Sequence, residues 1–193
     1  RSIHSEYIDE ENINNKLDGL NGIIVAPGFG QRGIDGKILT IEYARVNNIP
    51  FFGICLGMQM AVIEYAKNVK KIIDPNSTEI SEKCKNPVID LMINQKEVIN
   101  KGGTMRLGAW ECKIIKDTKS HSIYNKKVIS ERHRHRYEFN NKYNDKIFDK
   151  NFIKAGVNPE TDLVEIIENK SHPWFIGVQF HPEYKSSVLN PHP

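Results

Sequence analysis

Cysteine is scarce in this chain of 193 residues: Cys55, Cys84 and Cys112 are the only three, odd in number and widely spaced. That excludes a disulfide framework and any cysteine-rich metal-ligand pattern, and a reducing, cytoplasmic compartment is the expectation. Long apolar runs are missing too. None approaches the roughly 20 residues that span a bilayer, and the opening RSIHSEYIDEEN has no apolar centre of the signal-peptide kind. The formal net charge of +3 is too small to argue for a nucleic-acid or membrane partner. There are no internal repeats. With 39% hydrophobic and 26% charged residues, the expectation is one soluble domain with a sizeable core and no bound metal.

What is present is sharper. Gly53-Ile54-Cys55-Leu56-Gly57 sets a cysteine between two glycines, directly after the apolar Phe51 and Phe52. Phe51 to Ile54 reads as a buried strand, and Met58 to Val69 as a helix that starts at once. A residue pinched between the two occupies a strained turn, the nucleophile elbow with sulfur in place of oxygen. The expectation is a Cys55 aimed at solvent, its thiolate favoured by the helix N-terminus. A lone cysteine more often packs as a small hydrophobe. The flanking glycines argue against that here, because burial needs neither.

Gly22 to Ala26 is a short β-branched run of the kind buried on both faces, and it ends in Pro27-Gly28-Phe29-Gly30. Ile38 to Asn47 follows with helical spacing. Strand and helix therefore alternate along the front of the chain, as in an open α/β sheet whose ligands bind at the C-terminal strand ends. Ile3 to Ile8 reads as a short strand and Asp9 to Glu11 as a helix start. Asp74 to Thr104 is rich in turn formers, with a short helix near Asn94 to Asn100. Arg106 to Ile115, Leu163 to Glu168 and Trp174 to Phe180 read as strands, the last two returning on each other around Ser171-His172-Pro173.

A reactive cysteine needs a base, a group that orients the base, and an oxyanion hole. His181 and Glu183, two apart after a strand, can leave on one face, so that Glu183 holds the imidazole in the tautomer whose other nitrogen meets sulfur. An isolated His-x-Glu would more often be a surface pair; beside a cysteine elbow it reads as catalytic. Leu56 offers one backbone N–H to an oxyanion, and the loop at Gly28 a second. Taken alone, Pro27 to Gly30 would be a plain strand-to-helix turn. The basic run Arg132-His133-Arg134-His135-Arg136 tempts a nucleic-acid reading, but counterion-release binding needs a broader basic face. Alternation sends the arginines one way and the histidines the other, and an arginine fork suits a small carboxylate substrate.

Gly53 to Gln59 and Phe180-His181-Pro182-Glu183 resemble the class I (triad-type) glutamine amidotransferases. Asn76-Ser77-Thr78-Glu79, Gly102 to Gly108, and Glu131 to Glu138 narrow the likeness to the C-terminal glutaminase domains of the CTP synthase family. The resemblance implies an open three-layer, flavodoxin-like α/β sheet, mostly parallel with an antiparallel extension. It implies Cys55 as nucleophile, His181 as base and acid, and Glu183 as its orienting partner. Gly28, Phe29, Leu56, Gly57, Met58 and Gln59 would line the glutamine site and oxyanion hole. Glu79 would take the α-ammonium of L-glutamine and Arg136 its α-carboxylate, beside Tyr137. Ammonia would pass to an N-terminal synthetase domain of the same polypeptide, which aminates ATP-activated UTP to CTP in a homo-oligomer, a tetramer by resemblance. No cofactor is implied for the domain itself; ATP, magnesium and the activator GTP belong to the whole enzyme, with Gln31 to Lys37 where the family has its activation lid. Many relatives read Pro-Gly-Gly-Phe-Gly where this chain has Ala26-Pro27-Gly28-Phe29-Gly30, and Pro27 stiffens the loop. Family domains begin with a further strand and helix and end with a further helix, so residues 1–193 are expected to be a glutaminase domain lacking these. The competing expectations are a stand-alone γ-glutamyl hydrolase, the glutaminase of another synthase, or a non-catalytic regulatory or assembly domain.

Overall fold

The computed structural model describes residues 1–91 and 105–193. The helix expected near Asn94 to Asn100 lies outside the described residues. At the front, a 3-10 turn at Ser5–Tyr7 stands where a strand was expected. Its backbone packs against Gly36, where a Cβ would collide with the Ser5 carbonyl. The chain continues through α1 (Ile13–Leu17), β1 (Ile23–Val25), α2 (Ile34–Val46), β2 (Phe51–Ile54) and α3 (Leu56–Asn68). β1 and β2 are short and rich in β-branched or aromatic residues, which suits a pleated, buried surface.

The middle holds β3 (Pro75–Ser77), β4 (Asn86–Leu91), β5 (Arg106–Ile114), α4 (Lys119–Tyr124), β6 (Val128–His135) and β7 (Tyr137–Phe139). α4 is opened by Thr118, whose hydroxyl accepts from the His121 N–H at 3.0 Å. α5 (Asn144–Ile147), β8 (Phe152–Val157), β9 (Val164–Asn169) and β10 (Phe175–Val178) complete the described α-helices and strands, with further 3-10 turns at Asn141–Tyr143 and Pro182–Tyr184.

Among the described residues the main sheet runs β1-β2-β10-β9-β8-β5-β6. β1, β2 and β10 are parallel neighbours. From β10 through β9, β8 and β5 to β6 every pairing is antiparallel, so the antiparallel extension is the longer part of the sheet. β9 returns to β10 as a hairpin-like pair, as the turn at Ser171 to Pro173 suggests. A smaller sheet, β3-β4-β7, lies beyond α3.

α3 packs against both sheets, which is why Leu56 to Ala66 are all buried. One of those residues is charged. Glu64 in α3 is fully buried, and it accepts from Arg45 of α2 at 2.6 to 3.1 Å through both carboxylate oxygens. A buried carboxylate is tolerable when it is paired in this way.

The topology places the site. Three parallel strands end at the same edge of the sheet, so the loop after β1, the turn after β2 and the segment after β10 converge there.

Candidate active site

Cys55 sits between β2 and α3 with φ 50° and ψ −101°, a backbone conformation that a non-glycine residue rarely adopts. Its N–H donates to the Val178 carbonyl at 2.7 Å, tying the turn to β10. The two flanking glycines have a definite purpose. A Cβ on Gly53 would lie 2.7 Å from the Gly57 carbonyl carbon, and one on Gly57 would run into the Val25 carbonyl. They let the start of α3 press onto β1 and β2, and that close approach fixes where the sulfur stands.

The sulfur is not aimed at open solvent. Cys55 is 5% exposed and lies in the wall of a cavity of about 620 Å³. Burial pushes its thiol up to about 12, the Leu56 backbone N–H and the Gln179 amide pull it down, and the Glu183 and Glu79 carboxylates add to the rise. Desolvation therefore outweighs the start of α3, and the resting group is a thiol rather than the expected thiolate.

His181 follows β10 and lines the same cavity. Its backbone N–H donates to the Arg132 carbonyl of β6 at 2.8 Å. Its Nδ1 meets Glu183 Oε1 at 2.6 Å, and its ring lies flat on Tyr184, centroids 4.8 Å apart. A carboxylate only accepts, so Nδ1 carries the proton and Nε2 presents a lone pair. That nitrogen is buried and makes no hydrogen bond to any described residue.

The loop after β1 brings Gly28 and Phe29 to the cavity, with Phe29 88% exposed. A Cβ on Gly28 would press on Leu56 at 3.3 Å, so the loop and the elbow are in near contact. Glu79 follows β3 on a braced turn. Its N–H donates to Ser77 Oγ at 3.2 Å, and Thr78 Oγ1 donates to Asp90 at 2.9 Å. Glu79 Oε1 in turn accepts from the Gly30 N–H at 3.0 Å, and Gln31 Nε2 donates to the Ile80 carbonyl at 2.8 Å. Glu79 thus reaches the cavity wall while pinning the loop beside it. The segment Gln31 to Lys37 is a turn running into α2, with Gly33 at φ 67° and Arg32 paired to Glu6.

Arg136 and Tyr137, at the passage from β6 to β7, also line the cavity, as does Gln59 of α3. Leu56, Gly57 and Met58 do not: they are buried in the first turn of α3. Of these, Leu56 reaches the site through its backbone N–H at the Cys55 sulfur. The cavity adds Pro27, Met105, Arg134, His135 and Tyr184, which the sequence reading left out. Residues 102–104 of the Gly102 to Gly108 motif lie outside the described residues.

Gln179 is the residue that sequence reasoning missed most plainly. It is fully buried, and its Nε2 donates to Cys55 Sγ at 3.6 Å. The available signal was a polar side chain inside the apolar run Phe175 to Phe180, since a buried amide must find partners.

A buried cysteine on a strained elbow, sharing a cavity with a histidine paired to a glutamate on an α/β sheet, has the parts that a triad hydrolase uses. The chain belongs to the class-I glutamine amidotransferase family, whose model matches residues 2–193. Within that family it is similar to CTP synthases. It is 61% identical over 192 residues to the CTP synthase of Flavobacterium johnsoniae, covering all of this chain and 36% of that one. It is 60% identical over 191 residues to the CTP synthase of Christiangramia forsetii, covering 99% of this chain and 35% of that one. The chain thus spans about a third of the length of the curated relatives it matches. Among solved structures it superposes on the glutaminase domain of Trypanosoma brucei CTPS, determined with bound acivicin, at a TM-score of 0.92 and 38% identity. That match covers all of this chain and 75% of that one.

Proposed function

We propose that this chain hydrolyses L-glutamine through a thioester on Cys55, delivering ammonia to a synthetase domain that aminates ATP-activated UTP to CTP. The observation that carries the reading is the open Nε2 of His181, held in one tautomer by Glu183 and lining the same cavity as the Cys55 sulfur.

In this mechanism the thiol proton passes to His181 Nε2 as sulfur attacks the side-chain amide carbon of glutamine. The oxyanion is held by backbone N–H groups of Leu56 and the Gly28–Phe29 loop. His181 then gives its proton to the leaving nitrogen, ammonia departs, and the glutamyl thioester remains. Water, deprotonated by the same nitrogen, hydrolyses it to glutamate and restores the thiol. Because the thiol is buried and its proton tightly held, deprotonation and attack are coupled events, and idle nucleophile is suppressed until substrate arrives.

Glu79 and Arg136 bind the two ends of the amino-acid zwitterion, α-ammonium and α-carboxylate, beside Tyr137. Gln59 lies at the side chain. This fixed pair selects an α-amino acid over a simple amide. By the same likeness, ATP and magnesium act in the synthetase part, GTP activates the whole enzyme, and the assembly is a homo-oligomer. The test is Cys55→Ala in the intact protein. Glutamine-dependent ammonia release and CTP formation should disappear, while CTP formation from added ammonia survives. Glutamine hydrolysis persisting in that variant would overturn the mechanism.

A further inference from the structure

Behind the sulfur lies a short run of side-chain amides whose orientation is dictated from one end. The Tyr137 carbonyl can only accept. Gln59 faces it at 2.8 Å, so the atom there is Nε2, the donor end of its amide. The same nitrogen lies 3.2 Å from the Gln179 side chain, and a donor must meet an acceptor, so Gln179 turns Oε1 toward Gln59. Its Nε2 is thereby left pointing at Cys55 Sγ, 3.6 Å away. Rotating the Gln179 amide by half a turn would set two N–H groups against each other at the Gln59 end.

Gln179 and Gln59 are both buried, and Gln179 is further fixed by its backbone N–H, which donates to the Glu165 carbonyl of β9 at 2.8 Å. A neutral amide could serve simply to fill this space, but a methylene chain would do so without the cost of desolvating an amide. What an amide adds is a fixed N–H aimed at sulfur.

We infer that Gln179 is a hydrogen-bond donor that stabilises the Cys55 thiolate, with Gln59 the positioning residue that sets its amide. This rests on the reading of Cys55 as the nucleophile. An N–H directed at sulfur favours the charged form over the thiol. It therefore acts together with the Leu56 N–H against the desolvation that opposes ionisation. The other charged and titratable groups around the sulfur are His181, Glu183 and Tyr184 after β10, Glu79 after β3, and Arg134, His135, Arg136 and Tyr137 on the β6–β7 side of the cavity. Among these, the two amides contribute a directed dipole that does not change charge with pH. The second consequence concerns substrate. Gln59 lies at the cavity wall, so a bound glutamine that displaced it would release the Gln179 amide. A productive substrate must leave the pair in place.

The test reads Cys55 itself and needs no glutamine turnover. In the intact protein, the rate of alkylation by iodoacetamide is measured at pH 8, with the peptide carrying Cys55 quantified by mass spectrometry to separate it from Cys84 and Cys112. At that pH the sulfur is mostly thiol, so the rate reports the small thiolate fraction. Gln179→Met conserves volume and Gln179→Asn keeps an amide, but neither reaches the sulfur with a donor. Each should slow alkylation of Cys55 by about tenfold and slow glutamine hydrolysis by about tenfold, without a matching rise in KM. Gln59→Met should slow alkylation by less. An unchanged or faster alkylation rate in a folded Gln179 variant overturns the proposal, even if hydrolysis is lost, because packing damage opens the sulfur to the reagent rather than shielding it. If instead alkylation slows while the parent protein fails to hydrolyse glutamine, the donor assignment stands and the functional reading falls.

Discussion

Glu183 meets His181 Nδ1 at 2.6 Å while Tyr184 lies flat against the ring, so a half-turn of the imidazole would put a carbon in place of Nδ1 and lose the bond to the carboxylate. In the proposed mechanism the carboxylate supplies two things: it selects the tautomer, and its charge supports the imidazolium that forms when sulfur gives up its proton. Glu183→Gln separates these from binding. The amide retains the shape but not the charge, and its NH2 end can face the ring and invert the tautomer. The variant should lose about 10²- to 10⁴-fold in kcat for glutamine hydrolysis with KM nearly unchanged, measured by steady-state ammonia release. A change confined to KM would place Glu183 in substrate binding instead.

At the scale of elements, the antiparallel part of the sheet encloses a buried group of ionisable side chains behind the site. Arg106 of β5 meets Glu165 of β9 at 2.7 Å and Glu138 of β7 at 3.3 Å. On β6, His133 Nδ1 and His135 Nε2 are 2.8 Å apart, and His135 Nδ1 lies 3.1 Å from the Tyr137 carbonyl. That carbonyl makes His135 Nδ1 a donor, so its Nε2 accepts from His133, whose own Nε2 is left as an acceptor 3.5 Å from Glu165. One guanidinium cannot neutralise two carboxylates. Burial pushes Glu138 up to about 8 and Glu165 up to about 7, against the pull of Arg106 on both. The same burial drives His133 down to about 2 and His135 down to about 3, so both are neutral.

The consequences for stability have opposite signs. Carboxylates raised above their ordinary 4.5 bind more protons folded than unfolded, so their contribution is lost as pH rises through about 7 to 8. Histidines held below their ordinary 6.5 destabilise the fold as pH drops beneath that value. Between pH 6.5 and 8 the carboxylates act alone. Urea unfolding of this domain in the intact protein should therefore show stability lower at pH 8 than at 6.5, by about 1 kcal/mol. Glu138→Gln should flatten that slope; an equal slope in the variant would remove Glu138 as its source.

For the molecule as a whole, legibility followed the length and punctuation of the elements. β1, β2 and β10 could be read because each is an unbroken apolar run with a sharp end, and the site hangs from those ends. The cysteine elbow and His181 with Glu183 followed from them. Three-residue β3, with no β-branched residue, carries no such signal. β8 carries Lys154 in its middle, which breaks the apolar run. α4 and α5 are short and polar, and tertiary contacts define them. Glu79 and Arg136 lie far apart in the chain, so only family likeness could pair them. The burial of Cys55, which reverses the expected ionisation, depends on side chains from several elements and had no local trace. Gln179 left a local trace, a polar side chain inside an apolar run, but its contact with the distant Cys55 left none.

A covalent glutamyl group on Cys55 is the intermediate on which the proposed chemistry depends, and rapid acid quenching of the intact protein during glutamine turnover, followed by peptide mapping, looks for it directly. A glutamyl thioester is expected on the peptide carrying Cys55, decaying once glutamine is consumed. Sustained ammonia release from glutamine with Cys55 unmodified throughout would contradict it.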